Sequence, residues 1–93
     1  MHLMTRTHRR TQELERVRVL PNGRWLTERE IVILQWVAVG KTNEAIAMIH
    51  HRSMNTVKNQ LRLIFQKLDV VNRAQAVMEA IRLGMMKHHD PSL

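Results

Sequence analysis

The feature that most constrains this chain is the stretch of residues 53–68, which reads SMNTVKNQLRLIFQKL. On an α-helix, its apolar side chains fall on one stripe with the spacing of a face that packs on a core: Val57, Leu61, Ile64, Phe65 and Leu68. The opposite face carries polar side chains: Asn55, Lys58, Asn59, Arg62 and Gln66. Amides and cations of this kind hydrogen-bond to base edges, and an α-helix fits the DNA major groove. The stretch therefore predicts a recognition helix.

Length and charge agree with a nucleic-acid partner. The chain has 93 residues, enough for one small domain, and a formal net charge of +7 from 15 Lys and Arg against 8 Asp and Glu. Excess positive charge favours a polyanionic partner, either nucleic acid or an anionic membrane, because phosphate contacts release condensed counterions. Many small basic proteins bind no specific polyanion, so this charge becomes informative only together with the helix.

Other function classes have little support in the composition. The chain has no Cys, hence no disulfide framework and no thiolate zinc site, and its six His do not fall at metal-ligand spacing. We therefore expect neither an enzyme nor a bound metal or cofactor. No apolar run approaches the length of about 20 residues that spans a bilayer, and the start MHLMTRTHRR lacks the apolar core of a signal peptide. We expect a cytoplasmic, nucleoid-associated protein with no membrane contact.

The first quarter of the chain is basic, and its structure stays open between two alternatives. Residues 13–20 suit either a short amphipathic helix or an extended segment. Three arginines, Arg6, Arg9 and Arg10, belong either to an arm that follows DNA phosphates or enters a minor groove, or to a solvated tail. We predict an arm over 1–25, a folded domain over 26–86 that begins just after a Pro21-Asn22-Gly23 turn, and a flexible tail over 87–93.

Capping residues and glycines predict three further helices. Thr27 and Glu30 form a capping box that starts a helix over 28–39, which ends before Gly40. Thr42 caps a helix over 43–49, and a second capping box, Asn72 with Gln75, starts a helix over 73–83 that stops at Gly84. The short second helix, a tight connector and the longer third helix are typical of a helix-turn-helix. The fold class expected is all-α, with four helices and no strands.

Several apolar residues outside the recognition stripe also receive predictions. The last helix is expected to have an apolar stripe of Ala74, Val77, Met78 and Ile81. We expect Leu63 to complete the packing, and we expect the following methionines to fill the core and its edges: Met48, Met54, Met78, Met85 and Met86. The helix over 28–39 is apolar on nearly every side, so one flank either meets a partner or stays exposed, with Ile31, Val32 and Val39 as the candidate partner surface.

Five segments in the same order, LTERE, GKTNEAIA, SxxTVKN, IFQKLDVVNRAQAV and AIRLGM, resemble the LuxR-type (GerE-type) helix-turn-helix domain of bacterial transcription regulators. The similarity runs from residue 26 to about residue 86. The segment LQWVAVGKT is most similar to the branch that senses acyl-homoserine lactones in full-length proteins. The resemblance implies a four-helix domain whose third helix enters the major groove and whose fourth helix forms a two-fold dimer contact.

The resemblance also implies roles for individual residues. Residues expected to contact bases are Lys58, Asn59 and Arg62, with Asn55 on the same face. Residues expected to contact phosphates are Thr42, Asn43, Ser53, Thr56 and Arg52. Residues expected at the dimer interface are Val77, Met78, Ile81 and Arg82. These roles predict a homodimeric transcription regulator that binds double-stranded DNA at an inverted repeat.

Three departures from the family pattern bear on this prediction. Ala45 stands where the family usually has Glu, so the box begun by Thr42 lacks its reciprocal carboxylate. Ile31 and Val32 occupy positions that are commonly charged or polar in the family. Only some 25 residues precede the matching segment, so we expect either a stand-alone regulator or a fragment of a longer protein.

An alternative function is a protein-interaction module. Such an anti-activator would bind a full-length LuxR-type regulator, or another partner such as RNA polymerase, through the first helix or the last helix. If Lys58→Ala and Arg62→Ala abolish the biological effect, DNA readout is the primary function. If they have no effect while Val32→Glu does, the protein-interaction function is favoured.

Overall fold

The helices of this protein begin where the capping residues predict. The computed structural model describes residues 17–86, and within them the elements are β1 (Arg18–Val19), β2 (Trp25–Leu26), α1 (Glu28–Ala38), α2 (Asn43–His50), α3 (Met54–Leu68) and α4 (Arg73–Arg82). Every predicted helix is present, with both ends within one residue of the prediction. The helix-turn-helix, formed by α2 and α3, is also confirmed.

The two predicted capping boxes differ in detail. In the first, the Thr27 hydroxyl accepts from the Glu30 N–H at 3.1 Å, and the Glu30 carboxylate accepts from the Thr27 N–H at 2.8 Å, as expected. In the second, the Asn72 side chain accepts from the backbone N–H of Gln75 at 2.9 Å. The side-chain oxygen of Gln75, however, accepts from the Val71 N–H, also at 2.9 Å. The reciprocal bond predicted for Asn72 is therefore made one residue earlier.

A hairpin precedes the helices, so the prediction of no strands is wrong. β1 and β2 pair antiparallel, with Arg18 opposite Leu26 and Val19 opposite Trp25. The predicted turn over 21–23 joins them; it is closed by a hydrogen bond from the Gly23 N–H to the Leu20 carbonyl at 2.9 Å, and Gly23 has the positive φ of 86° that such turns need. Of the two alternatives for residues 13–20, the extended one therefore holds for Arg18–Val19.

The packed part of the chain starts before the predicted boundary at residue 26. Leu20, next to β1, is only 4% exposed, and Leu26 in β2 is fully buried. Both belong to the same core cluster as the helices. The predicted arginine arm and the tail over 87–93 lie outside the described residues.

The core is built mainly from α1 and α3. Its buried members in these two helices are Ile33, Leu34, Val37, Val57, Leu61, Ile64 and Leu68. Phe65 is partly buried and packs against them. The apolar stripe predicted for the third helix is thus confirmed.

The inward face of α4 was predicted wrongly. Its buried residues are Ala76 and Ala80, whereas Met78 and Ile81 are exposed and Val77 only packs at the core's edge. Small side chains let one helix approach another closely, and α4, in which these two alanines are the buried residues, packs mainly on α1. The larger apolar residues of the predicted stripe are left on the outer side.

Other apolar residues expected in the core are also outside it. Leu63 is 45% exposed, and Met48 and Met54 are exposed as well; of the methionines within residues 17–86, only Met85 is buried. Within residues 17–86, none of the helices has the length and apolarity needed to cross a membrane.

Two adjacent residues of α3 test which face holds the domain together. Replacing the fully buried Ile64 with Ala should lower the free energy of unfolding by about 3 kcal/mol, because it removes buried methylenes and leaves a cavity. Leu63→Ala should change it by less than about 1 kcal/mol, because that side chain is already half in water. Urea denaturation followed by circular dichroism measures both. Equal losses would contradict the assigned faces.

Candidate nucleic-acid interface

The polar face of α3 lies in solvent. All five of its side chains are exposed: Asn55, Lys58, Asn59, Arg62 and Gln66. Within residues 17–86, no hydrogen bond or salt bridge engages the side chains of Lys58, Asn59 or Arg62. The face therefore offers uncommitted amides and cations to a ligand, while the opposite side of the same helix is fixed in the core.

A groove runs along this face toward the start of α4. It is lined by three cations, Lys58, Arg62 and Arg73, and by apolar residues that include Leu61 and Phe65. A concave, cationic surface beside an exposed helix suits a polyanion. Arg73 was not predicted as a site residue from the sequence.

Arg73 fixes the beginning of α2. Its guanidinium donates to the Asn43 side-chain oxygen at 2.8 Å and to the Lys41 carbonyl. Asn43, a predicted phosphate contact, therefore has its oxygen occupied and keeps its NH₂ group as a donor. Nothing in local periodicity could have indicated this link, because 30 residues separate the partners.

The other predicted phosphate contacts gather at the start of α2 and α3. The Thr42 hydroxyl accepts from the Ala45 N–H at 3.1 Å, and the Ser53 hydroxyl accepts from the Thr56 N–H at 3.1 Å. Thr42 and Ser53 are exposed, Thr56 is half-buried, and the exposed Arg52 precedes the α3 cap. No acidic residue occupies the first turn of α3, so its N-terminus is free to attract an anion.

His50, at the end of α2, makes a partly buried contact that the sequence did not reveal. The Trp36 indole N–H donates to the Nε2 atom of His50 at 3.1 Å, so the imidazole acts as an acceptor and must be neutral. Partial burial, and then the positive charges of Arg29, Arg52 and His51, lower the pKa of His50 below its ordinary value of 6.5. The next residue, His51, is exposed.

The outer side of α4 is apolar. Met78 is 70% exposed and Ile81 is 60% exposed, and Val71, just before the helix, is exposed too. Met78 and Ile81 line a groove that the hairpin turn completes with Leu20 and Pro21. Such a patch is typical of a contact surface.

The charged pair beside this patch is formed within one chain. Arg82 donates two hydrogen bonds of 2.6 Å to the Glu79 carboxylate. The hydrogen bond from Arg82 lowers the pKa of Glu79. Of the predicted interface residues, Met78, Ile81 and Arg82 are thus exposed, whereas Val77 is half-buried.

The candidate partner surface on α1 is less accessible than expected. Ile31, Val32 and Val39 are all half-buried, and Ile31 packs against the core. Among the residues that the structure describes, no cluster of His, Cys, Asp or Glu is suited to hold a metal ion.

Comparison with known proteins identifies the family of this domain. The GerE model, described as bacterial regulatory proteins of the luxR family, matches residues 24–80. The quorum sensing-dependent transcriptional regulator RpaR of Rhodopseudomonas palustris is 41% identical over 80 residues, which cover 86% of this chain and 32% of RpaR. The response regulator VraR of Staphylococcus aureus is 40% identical over 62 residues, which cover 67% of this chain and 30% of VraR. This chain thus spans about a third of the length of these relatives.

A solved structure supports the fold. The phage VqmA–DPO complex superposes with a TM-score of 0.64 at 24% identity, covering 100% of this chain and 39% of the VqmA chain. At that identity the likeness concerns the fold alone.

The Trp36–His50 contact predicts a pH dependence of stability. Below about pH 6.5, His50 is protonated in the unfolded chain but stays neutral in the folded domain, where its pKa is lower. The folded domain therefore loses stability as the pH falls toward that lowered pKa. The free energy of unfolding of the wild type should therefore drop more than that of His50→Gln between about pH 7.5 and about pH 5.5. Denaturation at the two pH values measures this difference.

The neighbouring residue provides the control. His51→Asn keeps a residue that tolerates the left-handed backbone at this position, where φ is 54°, and should retain most of the wild-type pH dependence, because burial and the two arginines, the larger causes of the lowered His50 pKa, remain. A His50→Gln variant with the same pH dependence as the wild type would contradict the assignment.

Proposed function

Because the chain belongs to the LuxR family of bacterial regulatory proteins and carries their DNA-binding domain, we propose that it is a sequence-specific transcription regulator that acts as a homodimer on an inverted repeat. The observation that carries this proposal is the exposed, uncommitted polar face of α3. An α-helix with such a face enters the major groove, where each base pair has a distinct pattern of donors and acceptors.

Base readout is assigned to four residues of that face. Lys58 and Arg62 donate to the O6 and N7 acceptors of guanine, and Asn59 and Asn55 read adjacent bases. Each good contact of this kind is worth about 1 to 3 kcal/mol of discrimination.

Phosphate contacts fix the register of α3 on the duplex. Their residues are Thr42, Asn43, Ser53, Thr56 and Arg52, which lie at the starts of α2 and α3. The Thr42 hydroxyl oxygen accepts the capping hydrogen bond, which leaves the hydroxyl proton to donate to a phosphate. The Ser53 and Thr56 hydroxyls lie 3.0 Å apart, so one donates to the other and the proton of the accepting hydroxyl remains for a phosphate. Such contacts position the helix without reading sequence.

Dimerisation is assigned to the outer side of α4. Met78 and Ile81 form its apolar centre, Val77 lies at its inner edge, and Arg82 with Glu79 provides a charged rim. A two-fold contact makes each residue meet its counterpart, so the two α3 helices present the same face to successive half-sites about 34 Å apart. An inverted repeat follows from this symmetry.

The same α4 surface also supports the alternative function. An exposed apolar helix face would accept the corresponding helix of a full-length LuxR-type regulator as readily as a second copy. The last helix is favoured over the first for such a contact, because Ile31, Val32 and Val39 are half-buried. A heterodimer of this kind would act by removing the larger protein from its own dimer.

Substitutions of Arg62 and Arg52 distinguish base contacts from phosphate contacts. Arg62→Ala should lower affinity for the preferred duplex by about 10-fold to 100-fold and relax the base preference at one position. Arg52→Ala removes the same charge but should weaken binding to all duplexes alike and leave the preference intact. Site selection from random duplex DNA with the wild type and both variants measures the difference. Unchanged preference in Arg62→Ala would contradict the proposal.

A pair of exposed methionines tests the dimer surface. Met78→Glu should shift the protein to monomer in sedimentation and reduce binding to the inverted repeat more than to a single half-site, because a charge enters the apolar centre of the contact. Met48→Glu, at a methionine of α2 that is 73% exposed, should leave the sedimentation unchanged. A Met78→Glu variant as dimeric as the wild type would place the interface elsewhere.

A further inference from the structure

The hairpin segment donates side-chain hydrogen bonds to the ends of two helices. Asn22, in the turn, donates to the Lys67 carbonyl at 2.9 Å, and Arg24 donates to the Gln66 carbonyl. Arg18, in β1, donates to the Leu83 carbonyl at 2.6 Å. These contacts join residues 42 to 65 positions apart, so they are tertiary and not local.

The carbonyls at a helix end need such donors. The last four C=O groups of an α-helix have no partner within the helix, and the negative end of its dipole favours a nearby cation. At the end of α3, the backbone N–H groups of Asp69 and Val70 donate hydrogen bonds to the carbonyls of Gln66 and Phe65, respectively. The hairpin supplies the donor for Lys67 and adds a guanidinium, so the last turn of α3 is held from outside.

Two further contacts hold the same turn. The Lys67 ammonium forms a salt bridge of 2.8 Å with Glu30, the residue that closes the α1 capping box. It also lies 5.1 Å from the centre of the Trp25 ring, in β2. Asn22 is itself fixed, because its side-chain oxygen accepts from the Arg24 N–H at 3.0 Å.

The end of α3 is therefore fixed by residues that are not on its DNA-facing side. A rigid helix held at its core face is still free to tilt unless its end is also held, and a small tilt moves a base-reading side chain out of hydrogen-bond range. Gln66 and Arg62 lie within the last two turns of α3, next to the held carbonyls.

We propose that the hairpin is a positioning element for DNA reading, in which Asn22 and Arg24 set the angle of α3 and thereby its base specificity. The inference rests on the proposed function, since it concerns the same helix face. Asn22 and Arg24 are positioning residues, because they act through the α3 backbone. Arg18 extends the same element to the end of α4, so one hairpin ties the DNA-reading helix to the dimer helix.

The test is the full chain with the double substitution Asn22→Ala and Arg24→Lys, which keeps the net charge. Binding is measured on the duplex selected by the wild type and on a scrambled duplex of equal length. We expect about a tenfold loss on the selected duplex and less than about a twofold change on the scrambled one, because the hydrogen bonds to α3 serve base readout and not charge attraction. Val19→Thr, a hairpin substitution at a side chain that is 65% exposed, should change neither affinity.

If circular dichroism shows that the double variant is unfolded, the single variant Asn22→Ala is tested in its place. Its affinity for the selected duplex should fall by about threefold. Retained preference for the selected duplex, or a parallel loss on both duplexes, would overturn the positioning role while leaving the proposed function intact. Failure of the wild type to prefer any duplex would overturn the proposed function, and the positioning role with it.

Discussion

Burial of the apolar stripe of α3 is the interaction on which the rest of the structure depends. Val57, Leu61, Ile64 and Leu68 are all buried, and burying each such side chain is worth about 1.5 to 3 kcal/mol. Rotating the helix about its axis would expose these residues and place Lys58 or Arg62 in the core. The same packing that stabilises the domain therefore determines which side chains can meet DNA.

Local features of the sequence predicted most of this arrangement. Helix starts follow from capping side chains such as Thr27, and the stripe of α3 follows from spacing, because both depend on neighbours within one or two turns. The Arg73–Asn43 and Trp36–His50 bonds were missed because their partners are brought together only by the tertiary fold. The hairpin is local, but each of its strands has only two residues, which is too short to show an alternating pattern. For α4, the larger apolar side chains were assigned to the core, whereas two alanines allow the closer packing.

These missed contacts surround the candidate site. Arg73 holds the start of α2, the hairpin holds the end of α3, and His50 joins the helix-turn-helix to α1 through Trp36. The polar face of α3 can stay free of partners because side chains outside this face hold the helices in position. A site held in this way is rigid before its ligand arrives, which reduces the entropy cost of binding.

The central claim is that Lys58 and Arg62 reach guanine acceptors in the major groove while the other face of α3 stays packed. Its most direct test is binding to the selected duplex in which single guanines are replaced by 7-deazaguanine, which removes the N7 acceptor and leaves base pairing intact. At a guanine under α3, affinity should fall by about tenfold, and the further loss caused by Arg62→Ala or Lys58→Ala should become smaller at the guanine that this residue contacts, because only its O6 acceptor remains. Unchanged affinity at every guanine of the site would contradict the claim.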